Sequence, residues 1–314
     1  MFDIVMPLFN KEIYVYRTVE AVLAQTLPDW RLIVVDDGST DGSVAAVERF
    51  ADPRITVLRQ ENAGPGAARN AGILAGNSEW IAFLDADDLW MPDHLEALNG
   101  LRMRFPGACL IGTAYREWSG GKVPGIPRKG SERLVRYFHE AATDRAPFFT
   151  SSAAFSRKAV ENVGLLPRVT VGDEMDLWAR LALFGPVAAT TKPTVLYRVG
   201  TGGITDSSDV TEAATLAEIS LPTATLVKRL DGISDPQLRS DVEEYIDFDV
   251  GLALMKAVRT GRIDYARKLL GLFLHGPRGK ARTAAMLARL PAPWGQRLMH
   301  VAFGLKRILR LTIA

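Results

Sequence analysis

Asp85, Asp87 and Asp88 close the apolar run Ile81-Ala82-Phe83-Leu84, putting three carboxylates within four positions. Like charges at the rim of an apolar core repel strongly, because the effective dielectric there is lower than that of water. A hard divalent cation carrying phosphate oxygens relieves that repulsion; an acidic, solvated turn capping the next helix is the alternative reading. A second acidic turn, Asp36-Asp37-Gly38-Ser39-Thr40-Asp41, follows Ile33-Val34-Val35. Its residue types suit a tight turn and a helix N-cap, and a strand-end carboxylate can also accept the ring N–H of a pyrimidine base. A third acidic group, Asp173-Glu174-Met175-Asp176, opens an amphipathic segment. Acids in a first helical turn are favoured by the macrodipole. Gly64-Pro65-Gly66-Ala67-Ala68-Arg69 has two glycines of a dinucleotide fingerprint but Arg69 where the third belongs. It reads better as a helix start whose glycines allow close packing, with Arg69 facing the ligand rim; a structural ion pair with the acids there is the alternative.

The elements that must hold these groups alternate along the first hundred residues. Short apolar or β-branched runs at Asp3–Met6, Leu32–Val35, Ile55–Leu58 and Trp80–Leu84 predict strands. Helix-length segments lie between them at Lys11–Gln25, Asp41–Phe50 and Gly66–Ala75; in the first, Val15, Val19, Val22 and Leu23 share a face. Strand, crossover helix and parallel strand make an open sheet covered on both faces. Ligands of such sheets bind beyond the carboxyl ends of the strands. That rule gathers Pro7–Lys11, Asp36–Asp41 and Asp85–Asp88 at one rim.

Further along, Gly107–Ala114 predicts a strand and the Gly- and Pro-rich Tyr115–Gly130 a loop. Phe148–Phe155 predicts another strand, Lys158–Val163 a short helix, and Thr194–Val199 a last strand. Asp173–Phe184 predicts a helix burying Leu177, Trp178, Leu181 and Phe184. Beyond Gly200–Asp209 the chain reads as about five helices, including Ile263–Leu270 and Leu298–Ile313. Cys109 is the only cysteine, which excludes an internal disulfide and leans towards a reducing compartment. His94, His139, His275 and His300 lack zinc-ligand spacing and read as surface or packing residues. The start of the chain does not read as a secretory signal, and no apolar run is long enough for a transmembrane helix. A cytoplasmic protein is expected.

The formal charge of +2 conceals an asymmetry: residues 251–314 hold 13 Lys or Arg against Asp264 alone, a local +12 facing −10 over residues 1–250. A basic tail on an acidic body suggests docking on anionic lipid or nucleic acid. Leu298, Ala302, Leu305, Leu309 and Ile313 can form one stripe flanked by Lys306, Arg307 and Arg310, which suits an interfacial helix on the cytoplasmic face of a membrane. Nothing in the sequence matches a nucleic-acid-binding motif.

Four blocks stand in register: Val5-Met6-Pro7-Leu8-Phe9-Asn10-Lys11, Gln25-Thr26-Leu27 together with Ile33 to Ser43, Asn62 to Gly72, and the run through Asp85-Ala86-Asp87-Asp88. In order and spacing they resemble family 2 glycosyltransferases over about residues 3–200. The resemblance implies a GT-A fold, α/β and Rossmann-like, with a mostly parallel open sheet carrying helices on both faces; an α-helical extension follows. It implies a catalytic domain over 1–205, with a nucleotide-binding half at about 1–105 and an acceptor half at about 106–205, and a basic helical region over 206–314.

By the same resemblance Pro7, Phe9 and Asn10 line the donor base, Asp36 or Asp37 holds the uridine, and Arg69 contacts the base or the diphosphate. Asp85 and Asp87 hold Mn²⁺ or Mg²⁺ against the donor diphosphate, Asp85 also reaching the ribose; alternation along an extended chain would aim the two the same way. Asp88 is expected to cap a helix or support the site from behind. The catalytic base is expected within Asp173-Glu174: the order is reversed from the usual Glu-Asp, Glu174 aligns with the base and Asp173 is the alternative. Thr150-Ser151-Ser152 is similar to the acceptor wall. The expected reaction is metal-dependent, inverting transfer from a nucleotide-sugar, a UDP-sugar, to a glycan or lipid-linked hydroxyl in polysaccharide, cell-envelope or glycoconjugate synthesis. The rivals are an inactive nucleotide-sugar-binding scaffold and a sugar-phosphate nucleotidyltransferase, which would need a basic Gly-rich loop where Pro7-Leu8-Phe9-Asn10 stands.

Overall fold

The computed structural model describes residues 1–121, 123–125, 127, 129–143, 147–167, 173–201, 220–259, 262–277 and 280–289. The chain divides into two units, Met1–Ser207 and Ser208–Ala314.

In the first unit the strands are β1 (Phe2–Leu8), β2 (Trp30–Asp36), β3 (Ile55–Arg59), β4 (Trp80–Phe83), β5 (Leu89–Trp90), β6 (Leu110–Trp118), β7 (Glu132–Val135), β8 (Ala153–Ser156) and β9 (Val187–Arg198). Its helices are α1 (Glu12–Leu23), α2 (Ser43–Glu48), α3 (Pro65–Ala75), α4 (His94–Arg104), α5 (Tyr137–Ala141), α6 (Arg157–Val163) and α7 (Asp173–Phe184). One sheet runs β3-β2-β1-β4-β8-β6-β9-β5, with β7 added on β9. The β3-β2-β1-β4 half is parallel, as the strand–helix alternation predicts. The other half is mixed: β8 is antiparallel to β4 and β6, and β6 is parallel to β9.

Alternation along β1 assigns the two faces. Ile4, Met6 and Leu8 pack with Val15, Val19 and Val22 of α1 and with Leu95, Leu98 and Leu101 of α4. On the other face Ile33, Val35 and Ala68 pack with Leu58. Here α3 lies directly on β1, since a Cβ at Gly72 would collide with Val5. Asp3 is buried within β1 and accepts hydrogen bonds from the Ser78 amide (2.7 Å) and hydroxyl (2.6 Å), from Arg31 (2.7 Å) and from Arg157 (2.8 Å). Burial opposes its ionisation, but the Ser78 and Arg31 donors outweigh burial and hold the carboxyl below its usual range. This carboxylate ties the start of β1 to β2, to the turn before β4 and to the end of β8.

Several expected boundaries shift. β6 continues through Trp118, into the segment expected to be loop, because Tyr115–Trp118 pairs with Val195–Arg198 of β9. β9 itself starts at Val187 rather than Thr194. The strand expected over Phe148–Phe155 is confined to Ala153–Ser156, and Thr150–Ser152 coils into one 3-10 turn. Phe184, expected in the core, is 48 % exposed at the last turn of α7, whereas Leu177, Trp178 and Leu181 are buried. His94 is a packing residue: it lies against Trp90, its Nδ1 meets the Thr194 hydroxyl at 2.7 Å, and burial pushes its pKa down to about 3.

In the second unit the described helices are α8 (Leu221–Arg229), α9 (Pro236–Arg259), α10 (Ile263–Leu270) and α11 (Lys280–Arg289). Val242, Ile246, Val250 and Leu254 of α9 recur at four-residue spacing and are buried with Ile263, Ala266 and Leu269 of α10 and the alanines of α11. The helix expected over 298–313 lies outside the described residues. Among the described residues, no helix is long and apolar enough to cross a membrane.

Candidate active site

Three turns at the carboxyl ends of β1, β2 and β4 meet as the sheet order requires, and polar bonds lace them together. Asn10 takes the left-handed conformation (φ 50°), which Asn tolerates better than most residues. Its amide donates to Ser39 Oγ (3.1 Å), and its side-chain oxygen accepts from the Thr40 amide (2.8 Å). The Lys11 amide donates to Ser43 Oγ at 2.7 Å. Asn10 thus joins the first turn to the second. Pro7 lies at the end of β1, and beyond it Phe9 is 46 % exposed.

Asp36 and Asp37 are both buried. Asp36 Oδ1 accepts from the Ser39 amide (3.0 Å), closing its own turn. Asp37 accepts from Gln60 Nε2 (2.7 Å) and from the amides of Ala63 and Gly64 (2.9 Å each), which fixes the entry into α3. Much of the hydrogen-bonding capacity of Asp37 therefore goes to the protein itself.

The acidic run after β4 is not extended. Asp88 donates its amide to the Asp85 carbonyl (3.1 Å), so Asp85–Asp88 is a tight turn. Asp85 and Asp87 are brought together by that turn, and the expected alternation of an extended chain does not apply. Each meets a protein cation: Arg69 Nη2 lies 2.8 Å from Asp85 Oδ1, and Lys11 Nζ lies 2.6 Å from Asp87 Oδ2. Burial and the neighbouring Asp87 raise the Asp85 pKa despite Arg69. Asp88 caps no helix, since α4 begins at His94. It is fully buried and accepts from Ser151 Oγ (2.6 Å) and the Arg198 amide (2.9 Å), holding the turn against β9 and the 3-10 turn.

Arg69 joins two of the predicted groups. It is 5 % exposed and lies beneath the rim rather than on it. Besides Asp85, its Nη1 reaches Asp173 Oδ2 (3.4 Å) and Glu174 Oε2 (3.7 Å). Burial opposes its charge, but Asp85, Glu174 and Asp173 together overcome that and raise its pKa.

The two candidate bases differ sharply. Asp173 is 2 % exposed, packed so close to Gly66 that a Cβ there would stand 2.6 Å from Oδ2. Burial and its hydrogen bond to Glu174 push its pKa up to about 7 against the pull of Arg69. The Glu174 side chain is 25 % exposed and takes a hydrogen bond from Thr150 Oγ1 (3.3 Å). Burial would raise its pKa, but Asp173, Arg69 and Thr150 lower it. The pair thus favours a protonated Asp173 donating to an ionised Glu174.

Sequence reasoning missed two contributors, Lys11 and Arg198, and placed a third, Ser151, in the acceptor wall rather than under the acidic turn. Lys11 stood in a noted block but was assigned no role. Arg198, which donates from Nε to the Asp87 carbonyl (2.9 Å) and stacks 4.2 Å over Trp118, has no local signal at all. Ser151 supports both ends of the acidic turn, donating to Asp88 and accepting from the Asp85 amide (3.0 Å).

The chain matches "Glycosyl transferase family 2" over residues 3–164. It is 40 % identical over 95 residues to the Escherichia coli UDP-Glc:alpha-D-GlcNAc-diphosphoundecaprenol beta-1,3-glucosyltransferase WfgD, covering 30 % of this chain and 38 % of that protein. Its matched part spans between 16 % and 38 % of the length of the curated relatives it resembles. Staphylococcus aureus TarS 1–349 in complex with UDP-GlcNAc superposes with a TM-score of 0.70 over 97 % of this chain and 92 % of that one, at 14 % identity. The mannosyltransferase PcManGT from Pyrobaculum calidifontis, in complex with GDP-Man and Mn²⁺, gives 0.60 over 98 % and 86 %, at 19 % identity. These likenesses establish the GT-A fold. With the family pattern running through the first, second and acidic turns of the site, the chain belongs to glycosyl transferase family 2.

Proposed function

We propose that this protein is an inverting glycosyltransferase that moves a sugar from a UDP-sugar to the hydroxyl of a glycan or lipid-linked acceptor, in polysaccharide, cell-envelope or glycoconjugate synthesis. The observation that carries the reading is the convergence of Asp36-Asp37, Asp85-Asp87 and Asp173-Glu174 around the strand ends, with Arg69 joining the last two groups. WfgD and TarS support the choice of a uridine donor, and WfgD that of a lipid-linked acceptor.

In this reading Phe9 and Pro7 form the wall for the base, Asn10 sets the turn that carries them, and the Asp36-Asp37 turn receives the ring N–H. Glu174 is the base: it is the more accessible acid and is kept ionised, and its free face takes the acceptor proton as the oxygen attacks the anomeric carbon. Asp173 stays behind it, protonated, and orients the Glu174 carboxylate. Thr150 and Arg69 hold the two Glu174 oxygens.

Asp85 and Asp87 would hold Mn²⁺ or Mg²⁺. Among the described residues no cluster of three or more His, Cys, Asp or Glu side chains forms a complete cage. The residues present still fit such an ion, because Mg²⁺-type sites commonly use one or two carboxylates and complete their shell with substrate phosphates and water. Burial, and after it the neighbouring Asp87, raise the Asp85 pKa despite Arg69, and a divalent cation would relieve the repulsion between the two carboxylates. When bound, the ion supplies Lewis-acid stabilisation of the charge on the departing diphosphate. The basic region after residue 250 is assigned to contact with an anionic membrane surface, where a lipid-linked acceptor would be found.

The test is transfer and donor hydrolysis with UDP-, GDP- and TDP-sugars in the presence of Mn²⁺. A UDP-sugar should be used in preference, and Asp87→Ala and Glu174→Gln should each lose at least about 100-fold in kcat. Wild-type rates in Asp87→Ala would sink the metal assignment, and wild-type rates in Glu174→Gln would sink the assignment of the base.

A further inference from the structure

Lys11 connects three segments that are far apart in sequence. Its Nζ lies 2.6 Å from Asp87 Oδ2 in the acidic turn and 3.3 Å from Thr201 Oγ1 beyond the end of β9. Its backbone is fixed: the amide is held by Ser43 Oγ at 2.7 Å, and the preceding Asn10 is locked to the second turn. The side chain is a four-carbon stem ending in a compact charge that pivots on that fixed point. At 17 % exposure the Lys11 side chain is largely shielded, and so is that of Asp87 at 14 %, so their attraction is little screened.

With Arg69 on Asp85 and Lys11 on Asp87, each of the two carboxylates assigned to the metal already meets a protein cation. Their treatment differs in one respect. Arg69 is locked by three acids beneath the rim, whereas among the described residues Lys11 has one acid partner, a neutral hydroxyl and the Tyr14 ring 5.8 Å from its Nζ. Of the two cations, Lys11 is the one that can leave.

We propose that Lys11 is an exchangeable counter-ion: its ammonium occupies the Asp87 carboxylate in the ligand-free protein and gives that carboxylate up to the divalent ion, passing to the donor diphosphate. A divalent ion arriving alone must displace an ammonium that then has no anion to meet. A divalent ion arriving with a diphosphate supplies that anion. Metal and nucleotide therefore bind cooperatively, and each raises the affinity of the other by the same factor. The inference rests on the assignment of Asp87 as a metal ligand.

The test is titration with Mn²⁺ alone, with UDP alone and with both, by calorimetry, on the full-length wild type, Lys11→Met, Lys11→Arg and Asp87→Ala, with folding checked by thermal unfolding. Lys11→Met should bind Mn²⁺ alone about tenfold more tightly than wild type, yet bind UDP less tightly at saturating Mn²⁺, so that the coupling collapses. Lys11→Arg, which keeps the charge, should stay near wild type for Mn²⁺ alone. A general loss of structure would weaken both ligands and cannot produce the opposed signs. Amine labelling of Lys11, read by mass spectrometry, should accelerate severalfold on adding Mn²⁺ and slow again when UDP follows. Unchanged labelling at saturating Mn²⁺, or unchanged Mn²⁺ affinity in Lys11→Met while Asp87→Ala loses the metal, overturns the role of Lys11 alone. Mn²⁺ binding that is indifferent to Asp87→Ala overturns the metal assignment and the inference with it.

Discussion

Replacing Arg69 with Met removes the cation that Asp85, Asp173 and Glu174 share while keeping most of the buried hydrocarbon stem. The guanidinium lies 2.8, 3.4 and 3.7 Å from the three carboxylates and is almost wholly out of water. Removing one partner of a buried ion pair costs about 3–5 kcal/mol, because the remaining charge is left uncompensated. That is a large share of the ~5–15 kcal/mol that holds a typical domain together. The loss should depend on pH, and its sign follows from Asp173. Its pKa is already pushed up to about 7 by burial and the Glu174 hydrogen bond, with Arg69 pulling it down; without Arg69 it rises further. A carboxyl whose folded pKa exceeds its unfolded value contributes stability fully below the unfolded value of ~3.9 and loses it as pH rises through the folded one. The deficit of Arg69→Met should therefore be larger at pH 8 than at pH 5.5, by roughly 1–2 kcal/mol. Urea unfolding at the two pH values, with the slopes compared to confirm a common unfolded state, measures it. A deficit below about 0.5 kcal/mol, or one equal at both pH values, would refute the view that Arg69 is the shared counter-ion.

Two further predictions follow from other contacts. Gly66→Ala places a methyl group 2.6 Å from Asp173 Oδ2, so the acid pair must shift; kcat should fall about 100-fold, as misplacement of about an ångström can cause, with Tm little changed, and a wild-type kcat would contradict it. Asp3→Asn leaves Arg31 and Arg157 without their carboxylate and should cost about 2–3 kcal/mol by denaturant unfolding. Because the Asp3 pKa is lowered in the fold, its contribution is present above the ordinary carboxylate range and fades as pH falls through the folded value, so the gap to wild type should narrow in acid.

Much of the parallel half was legible because it is local. Strand-length apolar runs, helix-length segments and turn residues recur within short windows, and the crossover rule then orders the strands. The mixed half was less legible because its strands owe their extent to partners far along the chain. Tyr115–Trp118 is a strand only beside Val195–Arg198, and Thr150–Ser152 coils where residue types alone suggested extension. The acidic turn shows the same limit at the scale of one site: the residue types of Asp85 and Asp87 were plain, yet their juxtaposition comes from the Asp85–Asp88 turn and not from strand alternation.

The sequence by itself determined which groups could do chemistry, the family they resemble and the end of the sheet where they gather, since these depend on residue type, order and short-range periodicity. Tertiary structure alone decided how the charges are shared. It buried Asp173 and left Glu174 partly open, drew Arg69 beneath the rim as counter-ion to both groups, and set Lys11 on Asp87. The reason is physical: ionisation and pairing depend on solvent exclusion and on distances of a few ångströms between residues far apart in sequence, as Arg69 and Asp173 are at 104 positions, which no local pattern encodes.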